Sequence, residues 1–395
     1  MSANIENFNQ DELSAPDWLN TDFFTTVLRS CEKDDSIRVK DVKLSPATLK
    51  GDHYATIMFR ARVEYETGAD DSPTQLHSSS MIIKTMPEME SNKKRIMQDT
   101  FIFETEIAMY TKVIPKFEAM LRQKGDETVM VLCFPFRCLY HSLSPKKLII
   151  LEDIVPLGYE VLRGRQVNME EAKLTYSKLN PAFFDEFSHS FMEFAEGEMA
   201  SFFQKGIVFF IETLATQPTL IKYKPYFEAL QSTLIEKCRM LMDEYRIHPQ
   251  KDGHYVLCHG DFHHKNIMFK RTADHQVKDV MLLDFQICYI GSMLIHYYFC
   301  CFTETLDRLD YVGRRPKLLD LQKFTQRFKY LFCPLLEILY LVTLLPLWYA
   351  FDGGEDPDKL VNCEDFRKPL YSNKEFLAVL EECLPKFLHS GYLEC

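Results

Sequence analysis

From Ala55 the chain alternates. Ile57, Phe59, Ala61, Val63 and Tyr65 point one way, and Met58, Arg60, Arg62 and Glu64 the other. A period of two predicts a half-buried strand. "SSMIIKTMP" (79–87) predicts a second strand, stopped by Pro87. In "RIMQDTFIFETEIAMYTKVIP" (95–115) the spacing becomes helical, with Phe103, Ile107, Tyr110 and Ile114 on one face. "ETVMVLCFPF" and "KKLIILEDI" predict two further strands, and "APDWLNTDFFTTVLRS" (15–30) a helix ahead of them all. Strand, strand, helix, strand, strand describes a small antiparallel sheet carrying one helix.

After Asp153 the pattern changes. Asn168 with Glu171 three residues later is an Asn variant of the capping box, and helical spacing fills much of 168–245. Short strands are predicted at "HYVLC", "NIMFK" and "VKDVMLLD", and the rest to 395 is mainly helical. "LFCPLLEILYLVTLLPLWYAF" (331–351) contains Glu337, Pro334 and Pro346, so it reads as a buried helix pair rather than a membrane span. The predicted fold is α+β and two-lobed. Residues 1–153 form a lobe built on an antiparallel sheet, and 154–395 form a mainly helical lobe.

Composition narrows the chemistry. Hydrophobic residues make up 46% and charged residues 26%, an ordinary globular balance. A net charge of -11 disfavours nucleic acid, whose affinity rests on Lys and Arg contacts to phosphate. Twelve cysteines occur with no CxxC pair, and "MSANIENFNQDEL" is polar and acidic rather than a secretory leader. Free thiols, a reducing cytoplasmic setting and a monomer are expected.

"VLCHGDFHHKNIMFK" (256–270) and "VMLLDFQ" (280–286) carry the candidate chemistry. His259-Gly260-Asp261 with Asn266 has the form His-x-Asp-x-x-x-x-Asn, and Asp284-Phe285 follows at the end of an apolar run. The catalytic loop of protein kinases has this shape, with Asp beside the attacking hydroxyl, Asn on Mg²⁺ and a later Asp on the metal that bridges the ATP phosphates. Phosphoryl transfer asks for such groups: hard oxygen ligands for Mg²⁺ and a carboxylate at the acceptor. The preceding lobe then has to supply a strand Lys and a helix Glu, and Lys84 and Glu106 stand where that requires. "KGDHYAT" (50–56), before the first strand, is expected to cover the phosphates, with Gly51, Asp52 and Tyr54 as contacts. "LIILEDI" (148–154) is expected to connect the lobes, with Glu152 and Ile154 at the adenine. His259 and His263 have a zinc-like spacing, but Gly260 and a loop setting argue against a metal there. His263 and His264 are candidates to flank a substrate.

The pieces "PDWLN", "LKGDHYATIMFRARVEYE", "MIIKTMP", "FETEIAMYTKVIP", "LIILEDI", "HGDFHHKNIMF" and "LLDFQ" run in order over residues 16–300. Together they resemble the insect ecdysteroid-kinase-like (CHK kinase-like) family, relatives of choline kinases and aminoglycoside phosphotransferases. The resemblance implies a kinase-like fold and ATP- and Mg²⁺-dependent phosphorylation of a hydroxyl on a small lipophilic, steroid-like compound. By the same resemblance Asp261 is the catalytic base, Asn266 and Asp284 bind Mg²⁺, and Lys84 with Glu106 positions the phosphates. Three positions depart from the family pattern: His263 replaces a usual Trp, Asn180 a usual His, and His296 a usual Asp. A choline- or aminoglycoside-type kinase and a catalytically weakened ligand-binding protein are the alternative readings. A protein kinase fits less well, because GxGxxG is absent and DFG is DFQ.

Overall fold

The computed structural model describes residues 14–47, 56–68, 74–88, 94, 98, 100–123, 137–161, 198–243, 247, 255–261, 266–292, 332–348, 363–389 and 391–393. The chain divides into two compact units. One comprises residues 1–178 with 261–287, the other 179–260 with 288–395.

The first unit opens with helix α1 (Thr21–Glu32). The Asn20 side chain accepts from the Phe23 N–H at 3.1 Å, which fixes the start of the helix. Trp18 and Leu19 therefore lie in the turn ahead of α1, not in the helix expected from 15 onward. Strands β1 (Arg38–Pro46), β2 (Ile57–Thr67) and β3 (Gln75–Thr85) follow, then helix α2 (Ile102–Ala108) and its continuation α3 (Ile114–Gln123). Strands β4 (Cys138–Ser142) and β5 (Leu148–Glu152) complete an antiparallel sheet of order β1-β2-β3-β5-β4. Phe24, Val27 and Leu28 of α1 share one core with Phe59, Ala61 and Val63. The alternation read in β2 is thus the buried face of this sheet.

Strand β1 is a correction to the sequence reading. It precedes 50–56, so that segment follows a strand instead of preceding the first one. A bulge between Val39 and Asp41 interrupts its pairing with β2, which breaks the period-two signal. The expected strand "ETVMVLCFPF" lies outside the described residues, and the partner of β5 is Cys138–Ser142.

Between α2 and α3 the helix widens over Met109–Val113, where the Ile114 N–H bonds the Met109 carbonyl five residues back. Pro115 follows at once. It has no N–H, and its ring crowds the carbonyl four residues earlier, which accounts for the widening at this point. The expected face survives: Phe103, Ile107, Tyr110 and Ile114 are all buried.

Strand β6 (Tyr159–Val161) ends this stretch. The chain then contributes helices α4 (Glu198–Thr216), α5 (Lys224–Leu230) and α6 (Leu234–Met242) and strand β7 (Tyr255–Cys258) to the second unit. It returns to the first with the hairpin β8 (Ile267–Arg271) and β9 (Val277–Leu282), which pairs with β6 in the order β6-β8-β9.

The second unit continues with β10 (Tyr289–Ser292), antiparallel to β7. Helices α7 (Phe332–Thr343), α8 (Leu345–Trp348), α9 (Glu364–Arg367) and α10 (Lys374–His389) follow. Phe210, Phe227, Leu335, Ile338, Phe376 and Leu380 lie in its apolar core. The expected helix pair of 331–351 is present as α7 and α8, and no helix among the described residues is long and apolar enough to cross a membrane.

Arg367 is 1% exposed in this unit, with its guanidinium 3.8 Å from the Phe202 ring centre. Its Nη2 donates to the Tyr371 hydroxyl, which donates in turn to the Val342 carbonyl at the end of α7. An aromatic face and a helix C-terminus both favour a cation, and they offset part of the burial penalty.

Candidate functional site

Lys84, next to last in β3, lies on the face opposite Met81 and Ile83, because side chains alternate along a strand. It pairs with Ile149 of β5 and is 3% exposed. Glu106 comes from α2 and is 2% exposed. The two meet with Lys84 Nζ 2.6 Å from Glu106 Oε2. A second carboxylate, Asp284, lies 2.5 Å from the same nitrogen through Oδ1. An ammonium has three donors. Two are engaged here, which leaves one for a further acceptor.

The hairpin β8–β9 delivers Asp284. Ile267 pairs with Leu282, and the Leu283 N–H bonds the Asn266 carbonyl at 2.9 Å. Asn266 and the residue before Asp284 are thereby clasped together. The side-chain amide of Asn266 also donates to the Asp261 carbonyl at 3.0 Å and to Asp261 Oδ2 at 3.1 Å. Gly260, just before Asp261, has φ 83, a left-handed conformation that glycine adopts without penalty. Asp284 has φ 63, uncommon for a residue with a Cβ. Its other oxygen, Oδ2, accepts from Gln286 Nε2 at 2.9 Å. Phe285 is buried and meets Tyr110 edge-on at 5.7 Å.

The cluster holds one ammonium against two carboxylates. Burial pushes Glu106 up to about 7 and the nearby Asp284 adds to the rise, while chiefly Lys84 opposes it. For Lys84, burial would lower the pKa, but the charges of Asp284 and Glu106 prevail and raise it. The excess negative charge is therefore relieved at Glu106, which takes up a proton most readily, and Lys84 stays charged.

Of the residues singled out from the sequence, Lys84, Glu106, Asp261, Asn266 and Asp284 all lie in the first unit, joined through the contacts above. Gly51, Asp52, Tyr54, His263, His264, Asn180 and His296 lie outside the described residues. Ile154 is buried. The Glu152 backbone pairs across the sheet, and a side-chain oxygen accepts from the Arg137 N–H at 3.4 Å. Its neighbour Asp153 has an architectural place: Oδ2 accepts from Arg60 at 2.8 Å and Ser80 at 2.6 Å, and Oδ1 from the Val155 N–H.

Four residues take part without a role expected from the sequence. Gln286 is the third residue of DFQ. Tyr110 was seen only as part of a packed face, although it stands four residues after Glu106, one helical turn away. Tyr159 and Asp279 form a buried hydrogen bond between β6 and β9 that anchors the hairpin.

Asn266 and Asp284 offer hard oxygen donors of the kind magnesium takes when one or two protein groups hold it together with phosphate oxygens. Among the described residues no group of three or more His, Cys, Asp and Glu forms a cation cage.

No curated protein matches this chain. Among solved structures, a spectinomycin phosphotransferase in complex with ADP and spectinomycin aligns over 90% of this chain and 94% of its own, at 9% identity and a TM-score of 0.34. That likeness is too loose to carry an argument. The sequence model of the ecdysteroid kinase-like family matches residues 50–313, well over half the chain, and the matched span contains all five clustered side chains. The chain thus belongs to the ecdysteroid kinase-like family and is a phosphotransferase that acts on hydroxyl acceptors.

Proposed function

We propose that this protein transfers the terminal phosphoryl group of ATP to a hydroxyl of a small lipophilic alcohol, with steroid-like polyols as the leading acceptor class. The observation that carries the reading is Lys84, buried between Glu106 and Asp284 while Asn266 clasps Asp261. Lys84 keeps one N–H for a phosphate oxygen, and Glu106 fixes the direction of its ammonium. Asp261 accepts the acceptor's proton as the new O–P bond forms and the bond to the departing ADP breaks. Asn266 holds the Asp261 side chain in place. Asn266 and Asp284 would hold magnesium, which supplies charge neutralisation on the phosphate oxygens. Gly51, Asp52 and Tyr54 are proposed to cover the phosphates, and Glu152 and Ile154 to meet adenine through the backbone. The steroid-like acceptor rests on the family alone.

The test is Asp261→Asn, with product followed by mass spectrometry across steroid polyols, choline and aminoglycosides as acceptors. Turnover should fall at least ~100-fold, since general-base catalysis typically contributes 10²–10⁴, while nucleotide binding persists. Unchanged turnover would remove Asp261 from the mechanism. Phosphorylation of choline or an aminoglycoside alone would replace the acceptor class.

A further inference from the structure

Gln286 stands two residues past Asp284 and is 9% exposed. Its amide nitrogen donates to Asp284 Oδ2 at 2.9 Å. That contact settles which way the amide faces, because a flipped amide would set its oxygen against a carboxylate oxygen. Gln286 Oε1 is then buried with no hydrogen-bond partner among the described residues. A buried acceptor without a donor is unfavourable, and native proteins rarely keep one unless a water or an ion completes it.

The surroundings say what completes it. Asp284 and Glu106 place two carboxylates against a single ammonium. The Lys84 ammonium is committed to both of them, and the Gln286 nitrogen faces the carboxylate rather than away from it. An additional oxygen beside an acidic group of this kind suits a hard cation, or a water in its first hydration sphere, far better than an anion. The left-handed turn at Asp284 brings the Gln286 amide back onto the carboxylate.

We infer that Gln286 supplies a third protein oxygen to the divalent-cation site, alongside Asn266 and Asp284. This rests on the proposed function, since it assumes that the site takes a divalent cation together with nucleotide. The sequence DFQ then differs from DFG in substance: the glycine position carries an oxygen.

The experiment is a Mn²⁺ titration of the full chain with ADP present, following free Mn²⁺ by electron paramagnetic resonance. Gln286→Met removes both polar atoms at similar length, and Gln286→Glu keeps the oxygen. Loss of a supporting group typically weakens metal affinity 10–100-fold, so Gln286→Met should bind Mn²⁺ at least ~10-fold more weakly than the parent. Gln286→Glu should stay within about threefold of the parent or bind more tightly, because a carboxylate is a stronger ligand for a hard cation. Parent-like binding by Gln286→Met overturns the inference. So does a loss in Gln286→Glu as large as in Gln286→Met, which would assign the role to the N–H alone. If the methionine variant does not fold, a tenfold loss in the glutamate variant is enough to reject the inference, and retained affinity there supports it. A parent protein that binds ADP but no Mn²⁺ removes the cation reading of the site itself, a different failure from parent-like binding by the variants.

Discussion

Removing the charge of Lys84 tests the electrostatic account of the site most directly. In Lys84→Met the carboxylates of Glu106 and Asp284, both previously bonded to one nitrogen at 2.6 and 2.5 Å, face each other without a cation. Two oxygens so placed stand about 4–5 Å apart, and at an effective dielectric near 20 their repulsion is ~3–4 kcal/mol. Breaking a buried pair by deleting one partner costs about 3–5 kcal/mol in general, which agrees. Protonation limits the penalty. Burial already raises Glu106 above its usual range, so in the native state it holds its proton to higher pH than in the unfolded chain. Stability therefore falls as pH rises from the usual carboxylate range through about 7, and deleting Lys84 extends that fall to higher pH. The rise in Lys84 itself acts only above the usual lysine range and does not enter this window. Lys84→Met is expected to lose ~3 kcal/mol at pH 8 and much less at pH 5.5. Glu106→Gln leaves a neutral Lys84–Asp284 pair, so it should change stability by no more than about 1 kcal/mol at pH 8 and should flatten the pH dependence. The chain has two tryptophans, and Trp18 lies in the first unit against Phe23. Urea unfolding read by Trp18 fluorescence in a Trp348→Phe background therefore reports on the unit that holds the site. A Lys84→Met protein as stable as its parent at pH 8, or one with an equal deficit at both pH values, would refute the charge account.

Two further predictions concern packing and polar anchoring. A Cβ on Gly206 would lie 2.5 Å from Arg367 Nη2 and 2.9 Å from the Tyr371 hydroxyl. Gly206→Ala should therefore destabilise the helical unit by about 1–3 kcal/mol, measurable as a lower midpoint in urea followed by Trp348 fluorescence in a Trp18→Phe background; an unchanged midpoint would mean that Arg367 has room to move. Asp153→Ala strips acceptors from Arg60, Ser80 and the Val155 N–H, and should destabilise the first unit by ~2–3 kcal/mol in the Trp18 assay, with no loss meaning that water replaces the carboxylate freely.

The sequence made the sheet legible where period two ran unbroken, as in β2, and where an apolar run ended in a charged residue, as at Lys84. It made the chemistry legible because Asp261, Asn266 and Asp284 fall close together at an ordered spacing. Strand β1 was not legible, since its bulge sets Val39 and Val42 three residues apart among charged neighbours. The widened turn at Met109–Val113 left no hydrophobic signature, because the buried positions keep near-helical spacing across it. Gln286 was hidden for another reason. A polar residue after an apolar strand reads as a turn, and only the geometry shows its nitrogen turned onto Asp284.

The hairpin that carries the site is held by contacts of different kinds. At β6 it has a backbone ladder, with Tyr159 opposite Lys270, and the buried Tyr159–Asp279 hydrogen bond. At Phe285 it has the edge-on ring of Tyr110. Two of its attachments are ionic: Arg271 to Glu160 of β6 at 3.6 Å, and Asp284 to a lysine shared with Glu106. The ladder and the apolar contact do not depend on how much charge the cluster holds, whereas the Lys84–Asp284 contact does. Adding or removing charge at the cluster therefore acts on the Asp284 carboxylate while the strands behind it stay paired. A carboxylate tied by charge at the open end of a hairpin tied by hydrogen bonds can change partners without unfolding.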